Sequence, residues 1–412
     1  MKTFCASAPG KVLWLGGYSV LEKGNLSYVT AMDGRVFCLA RPLAGKGIKL
    51  KSAQFGINLE GIVQGRAIKL KAASKQSRES GRFLIAAANN CLKYLSAKKI
   101  RNGGFALSVA NDAAFGTPLR KTGLGSSAAA TVAVVTAILG SAGVDVLGGR
   151  GRIAVHNLSQ LSHSQAQGKV GSGFDVAAAV FGPIEYSRYS PEMVVRALAA
   201  TGKKFAALME GTWDYQIFPL GMPQMFVPLL AYTGTSASTS EFVVKISKFK
   251  EKKRKAYAGL LSEINESVKA ACLALEELRA LEAEIGREEF AVAARRGEGA
   301  FERFRHSMQD ARLLTKKLGE LAGAEIEGKA HTALIQESMQ HGAYVCRLPG
   351  AGGGDSIAAI CLAKYDAKKL ADYWKGRGLR VLEADFDLEG ARKEPPEAFL
   401  KFEREAFNKR KK

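Results

Sequence analysis

The sequence predicts an α+β protein of two domains, and three observations carry that prediction. The chain has 412 residues, 47% of them hydrophobic and 24% charged, the balance of an ordinary globular protein with room for two or three domains. Strand-like apolar runs punctuated by glycine occur in both halves, with helical-period segments between them. Pro219, Pro223 and Pro228 break the pattern near the middle, so 1–220 and 221–412 are the expected units. A disordered chain, a collagen-like repeat and a disulfide-stapled miniprotein are excluded.

The first forty residues alternate apolar runs (KVLWLGG, YVTAM, RVFCLA) with glycines and predict short strands and hairpin turns. Residues 46–70 continue that pattern. FLIAAANNCLKYL (83–95) has apolar residues at helical spacing, and FALSVAN (105–111) predicts a strand. A polar loop then leads to an apolar helix beginning near Ser127. Residues 151–167 predict a helix rich in His and Gln, followed by a small-residue helix, VAAAVFG. The stretch around 205–233 reads as strand. Residues 241–285 and 301–341 are long charged helical segments. Two strands (AYVCRL and IAAICLA), a helix over 366–375, a strand (RVLEADF) and a charged terminal helix complete the chain.

Lys and Arg number 60 against 39 Asp and Glu, a formal charge of +21. Residues 41–121 carry 16 Lys/Arg against three acids. Such an excess suits a funnel for phosphorylated ligands; a solvated face is the plainer reading. No zinc-finger spacing, aromatic basic strand motif or basic zipper accompanies the charge, so no nucleic-acid partner is expected. The six cysteines form no C-x-x-C pair, which fits reduced thiols in a cytoplasmic setting. Pro9, Gly10 and Lys11 interrupt the N-terminal apolar run, so no signal peptide is expected. The uncharged stretch 122–144 has a strongly apolar part only at 128–139, shorter than the ~18 residues of a span; it predicts a buried helix and no membrane partner.

Three glycine-rich turns carry the chemistry. In Lys121-Thr122-Gly123-Leu124-Gly125-Ser126-Ser127, glycine backbone and the positive end of the following helix form an anion site, and a serine hydroxyl can reach a magnesium ion. The segment does not fit G-x-x-x-x-G-K-[ST], because Arg120 stands where the second glycine belongs. Gly123, Gly125 and Ala128 do fit G-x-G-x-x-A, with Asp145 20 residues after Gly125. A dinucleotide site needs a tight turn after a strand and an acid closing the next strand, whereas here a polar loop precedes and Asp145 follows a helix. A capped helix without ligand is the plain alternative. In the second turn, GKVGSGFD (168–175), Asp175 is either a first-turn helix acid or a carboxylate that takes a proton from an attacking group. The third, Pro349 to Asp355, has four glycines in five residues, more than a simple turn needs. Lys11 lies in an apolar strand, where it needs an anionic partner or must snorkel.

Taken in order, these segments resemble the GHMP kinase superfamily of small-molecule kinases. The resemblance runs from Ala8 to Leu362 and rests on APGK, GLGSSAA, GSGFD and GAGGGD. Within the superfamily the chain is most similar to the phosphomevalonate kinases of fungal, plant and bacterial type. Lys121-Thr122 ahead of GLGSS, the segment HNLSQLSHSQAQGKVGSGFDVAAAVFG, Gly17 in APGKVLWLGGYSVLE, and TGTSASTSEFV (233–243) carry that likeness. The resemblance implies an N-terminal domain like domain 2 of ribosomal protein S5 and a C-terminal ferredoxin-like α/β sandwich, with the site in the cleft between. It implies ATP and 5-phosphomevalonate as ligands and Mg²⁺ as cofactor. Asp175 and Lys11 would be catalytic. Gly123, Leu124, Gly125, Ser126 and Ser127 would wrap the nucleotide, with Ser127 on the metal. Lys121, Ser172, Gly173, Ser238, Ser240, Gly352, Gly353 and Asp355 would hold the acceptor or close the site. One departure stands out: no carboxylate occurs from His156 to Phe174, where mevalonate kinases supply a glutamate to the metal. Two alternatives remain: another GHMP small-molecule kinase such as a mevalonate kinase, or a nucleotide- or anion-binding homologue without turnover.

Overall fold

The computed structural model describes residues 1–408 except 54, 102, 113–114, 118–119, 122, 235–238, 355 and 383. Two long antiparallel strands, Phe4–Leu15 and Ser27–Leu43, form the spine of the first sheet. The sequence reading expects shorter strands here, with glycines as turns. Gly10 instead lies inside a strand, at a register shift between Pro9 and Gly10. Such a bulge bends a strand without ending it. Ser27–Leu43 also pairs with Ile184–Ser187 at one end and with Gly104–Asn111 at the other. Gly47–Ser52 joins Gly104–Asn111 in parallel, and Ile57–Gln64 and Ala67–Leu70 continue the sheet antiparallel to its edge. Ile57–Gln64 alternates buried and exposed residues strictly, as a strand wetted on one face does. Lys46, Lys49, Lys51, Arg66, Lys69 and Lys71 are exposed at this edge, which favours the solvated-face reading of the basic segment.

Helices Arg82–Ala97, Ser126–Ser141, Gly149–Gln167 and Phe174–Phe181 form the adjoining layer. Ser126–Ser141 lies at its centre, packed on both long strands and on the other three helices, with every residue from Ala128 on buried. Uniform burial is why its sequence is apolar all round. Among the described residues no helix is long and apolar enough to cross a membrane. Residues 202–210, read from sequence as strand, are helical. Phe205, Ala206 and Met209 fall on one helical face and are buried, whereas alternation would have split them between faces.

The second sheet is built from Val227–Tyr232, Val345–Arg347, Ser356–Cys361 and Arg380–Leu382. Its neighbours run in the order second, third, first, fourth, all antiparallel, which is the ferredoxin-like arrangement the resemblance implies. Lys329–Gln340 and Lys364–Gly376 cover one face through Ile335, Leu370 and Trp374. Arg254–Arg296, kinked at Gly286, and Ala300–Ala322 cover the other through Phe290, Phe301 and Phe304.

The expected unit 221–412 is not closed on itself. Phe386–Asp387 pairs with Ser27–Leu43, and Arg392–Glu394 pairs with Phe4–Leu15. Buried Arg35 fixes this return: its guanidinium is ion-paired with Asp387 and donates to Ser7 Oγ (2.7 Å) and to Gly390 O (2.6 Å). All six cysteines are buried and free.

Candidate active site

The three glycine turns and the Lys11 strand meet at a cavity of about 270 Å³ between the two sheets. Lys11, Gly123, Leu124, Ser172, Gly350 and Gly352 line it, with an apolar wall from Val12, Leu13, Val20, Leu21, Phe174, Leu230 and Val243. The long strand delivers Lys11, whose backbone N–H bonds Leu124 O (2.9 Å) and whose Nζ donates to Gly123 O (2.7 Å). Its ammonium also lies 5.6 Å from the centre of the Phe174 ring. Protein surrounds the half-exposed side chain; burial pushes its pKa down, and the charge of Asp175 pulls it back up. The loop can approach this closely because residue 125 is glycine. Gly125 has φ +78°, and a Cβ there would stand 3.1 Å from Lys11 Cε.

Gly125 is the N-cap of Ser126–Ser141, so Ser126 and Ser127 occupy the first helical turn, both half-buried. Ser127 Oγ lies 3.1 Å from His163 Nε2. His163, near the end of the helix Gly149–Gln167, stands 3.9 Å from Asp175 Oδ2 and packs against Phe83. Burial pushes the His163 pKa down, Asp175 raises it and Arg82 lowers it. Asp175 sits in the first turn of its helix, and its Oδ1 accepts the N–H of Val176 (2.9 Å). His163 therefore joins two residues singled out from sequence, yet sequence reasoning did not single it out. The one available signal was its place as the thirteenth residue of 151–167, a stretch that reads as a helix rich in His and Gln.

The second turn is held from beneath. Tyr186 OH donates to Ser172 O (2.8 Å), Gln160 Nε2 donates to Gly173 O (2.8 Å), and Arg188 donates to Leu21 O (2.8 Å) and Gly171 O (3.1 Å). The third turn docks on the first domain: Tyr18 OH donates to Ala351 O (2.7 Å) and Gly350 N–H to Leu13 O (3.2 Å). Gly352 has φ +71° and passes so near Ile326 O that a Cβ would lie 2.5 Å from it. Gly353 donates its N–H to Ile326 O (2.8 Å) and is not among the residues that line the cavity. Ser240 is exposed, one turn before Val243, which reaches the cavity. Ser238, Asp355 and the side chain of Lys121 lie outside the described residues.

Magnesium suits an oxygen donor such as Ser127 Oγ. No group of three His, Cys, Asp or Glu capable of caging a metal occurs among the described residues. A sparse oxygen set is what Mg²⁺ uses when phosphates and water complete its shell.

The chain is similar to known proteins over most of its length. Residues 82–183 match the GHMP kinases N terminal domain, and residues 290–379 match the GHMP kinases C terminal model. The peroxisomal phosphomevalonate kinase of Arabidopsis thaliana is 28% identical, over 92% of this chain and 93% of its own. The phosphomevalonate kinase of Saccharolobus solfataricus is also 28% identical, over 94% of this chain and 98% of its own. The fold is shared with the Streptococcus pneumoniae phosphomevalonate kinase in complex with phosphomevalonate and AMPPNP, at TM-score 0.68, 18% identity, and coverage of 94% of this chain and 100% of that one.

Proposed function

We propose that this chain, which belongs to the GHMP kinases, transfers the γ-phosphoryl group of ATP to (R)-5-phosphomevalonate, giving ADP and 5-diphosphomevalonate. The observation that carries this is the meeting of Lys11, Gly123, Leu124 and Ser172 at one cavity, with the charge of Asp175 felt by Lys11, in a chain similar to phosphomevalonate kinases over nine-tenths of its length. The reaction is a step of the mevalonate pathway.

The loop N–H groups and the helix N-terminus are suited to the triphosphate. Lys11, pinned to Gly123 O, would neutralise charge on the moving phosphoryl. Phosphoryl transfer has a loose transition state, so alignment and cations supply most of the acceleration. The attacking atom is a phosphate oxygen, already anionic at neutral pH. Asp175 is thus less a strong base than a group that orients the acceptor and takes its residual proton. Mg²⁺, held by Ser127 and the nucleotide, would screen the phosphate oxygens. Ser172, Gly173 and Gly352 belong to the acceptor side, as do Lys121, Ser238, Ser240 and Asp355; Lys121→Ala should weaken phosphomevalonate more than ATP. The working units are 1–220 with the returning 386–408, and 221–382. Six buried free thiols suit the reducing cytoplasm.

Coupled ADP release with Mg-ATP, and mevalonate or 5-phosphomevalonate in parallel, tests the reading. Turnover with 5-phosphomevalonate alone is expected. Turnover with mevalonate alone would reassign the acceptor, and background rates with both would favour a binding protein without turnover.

A further inference from the structure

We propose that His163 is a positioning residue: its Nε2 accepts the hydroxyl proton of Ser127 and so turns the serine's lone pairs toward the cation of the bound nucleotide. The inference rests on the ATP-kinase reading above and goes beyond it. Ser127 Oγ lies 3.1 Å from Nε2, and the amide nitrogen of Gln167 lies 3.4 Å from the same atom. An amide nitrogen only donates, so an N–H on Nε2 would confront the Gln167 donor; a bare Nε2 avoids that clash and gives its single lone pair to the shorter contact, from Ser127. The Asp175 oxygen at 3.9 Å is beyond hydrogen-bond length and does not compete for the position.

Both ends of the contact are held in place. Ser127 is fixed in the first helical turn, and its carbonyl accepts from Thr131 Oγ1 (2.8 Å) one turn on. The imidazole is buried against the Phe83 ring. A hydroxyl whose proton is taken by an imidazole keeps its lone pairs for a cation. Without that acceptor its proton turns to the nearest phosphate oxygen, and the serine becomes a donor instead of a ligand. Histidine also suits the place electrostatically. A carboxylate at 163 would set a second negative charge beside Asp175, whereas a neutral imidazole orients Ser127 without adding charge. This gives a physical role to a segment, 156–174, that contains no acid.

The test is titration of full-length protein with N-methylanthraniloyl-ATP in Mg²⁺ and in EDTA, without acceptor. His163→Ala is expected to bind metal-free nucleotide within about twofold of wild type and to lose about tenfold or more of the Mg²⁺ enhancement. Ser127→Ala should lose as much, and the double variant no more than either single one. His163→Gln, whose amide oxygen can accept the serine proton, should recover part of the enhancement and keeps the test alive if the alanine variant does not fold. Equal losses with and without Mg²⁺, additive losses in the double variant, or full enhancement in His163→Ala each overturn the inference. Wild-type protein that binds no nucleotide overturns both this inference and the kinase reading. Because the titration contains no acceptor, a wrong acceptor assignment leaves its result untouched.

Discussion

Asp175 shows how one side chain serves two purposes. Its Oδ1 takes the neighbouring Val176 N–H, an ordinary position for an acid at a helix start. Its other oxygen looks toward His163, and its charge is felt by Lys11. Asp175→Asn keeps the shape and removes the charge. It should lower kcat by ~10²-fold or more while nucleotide affinity stays within about twofold, measured by steady-state kinetics beside nucleotide titration. Unchanged kcat would reduce Asp175 to a helix-end acid. His156 makes a separate point about burial. It is enclosed by Asn157, Gln160, Phe181 and Tyr215, and burial pushes its pKa down to about 3. The folded imidazole thus stays neutral while the unfolded one takes a proton below its ordinary 6.5. The unfolded chain binds more protons in that window, so the contribution is complete above pH 6.5 and is lost as pH falls toward 3, at about 1.4 kcal/mol per unit. Urea unfolding of wild type and His156→Gln at pH 7 and pH 5 should show the stability gap narrowing by about 2 kcal/mol at the lower pH. A gap that does not change with pH would mean that His156 takes its proton in the folded state. At this scale Lys11, Asp175 and the serines were legible because glycines and an out-of-place lysine mark them. His163 was not, since its partners stand 36 residues before it and 12 after it, and only folding brings them together.

Elements differ in how openly the sequence declares them. The helix Ser126–Ser141 and the helix Gly149–Gln167 lie within two residues of where periodicity puts them. The two long strands were broken up in the sequence reading, because a bulge at Gly10 looks locally like a turn. The terminal strands Phe386–Asp387 and Arg392–Glu394 are too short to stand alone, and the Arg35 network holds them to the sheet. Asp387 is 6% exposed in its side chain and also accepts Gly390 N–H (2.9 Å), so Asp387→Asn should cost about 3–5 kcal/mol in urea unfolding, as loss of one partner of a buried pair does. Asp214→Asn, which breaks the exposed pair with Lys23, should cost less than about 1 kcal/mol. Similar losses for the two variants would show that burial of the Arg35 pair is not what fixes the C-terminal return.

For the whole molecule, the cavity belongs to neither sheet alone. Leu13, Tyr18 and Ser172 come from the first part, and Leu230, Gly350 and Ser356 from the second. Among the described residues, the third turn is joined to the first part by hydrogen bonds from Tyr18 to Ala351 and from Gly350 to Leu13. Tyr18→Phe should therefore raise KM for the acceptor several-fold with little change in melting temperature, because the lost hydrogen bond is worth about 1 kcal/mol. A changed melting temperature with unchanged KM would make the contact structural only. The chain's return also has a consequence for fragments. Residues 1–220 alone leave the Arg35 side chain buried without Asp387, and a fragment of that length should give no cooperative melt by circular dichroism. Joining 384–408 to it through a flexible linker should restore one. A cooperative melt from 1–220 alone would show that the returning strands are dispensable.

The amino-acid order by itself determined the layered α+β character, the three anion-suited glycine turns, the isolated strand lysine and the likeness to small-molecule kinases. Those features are written in local spacing: helical and strand periods, glycines where backbone must turn or approach, small residues where a helix is buried on all sides. The tertiary structure alone decided that the C-terminal strands complete the first sheet, that most of the basic segment is a solvated edge, and that His163 stands between Ser127 and Asp175. Each of these depends on contacts between residues far apart in sequence, whose free energy comes from burial and pairing across the fold and leaves no periodic trace along the chain.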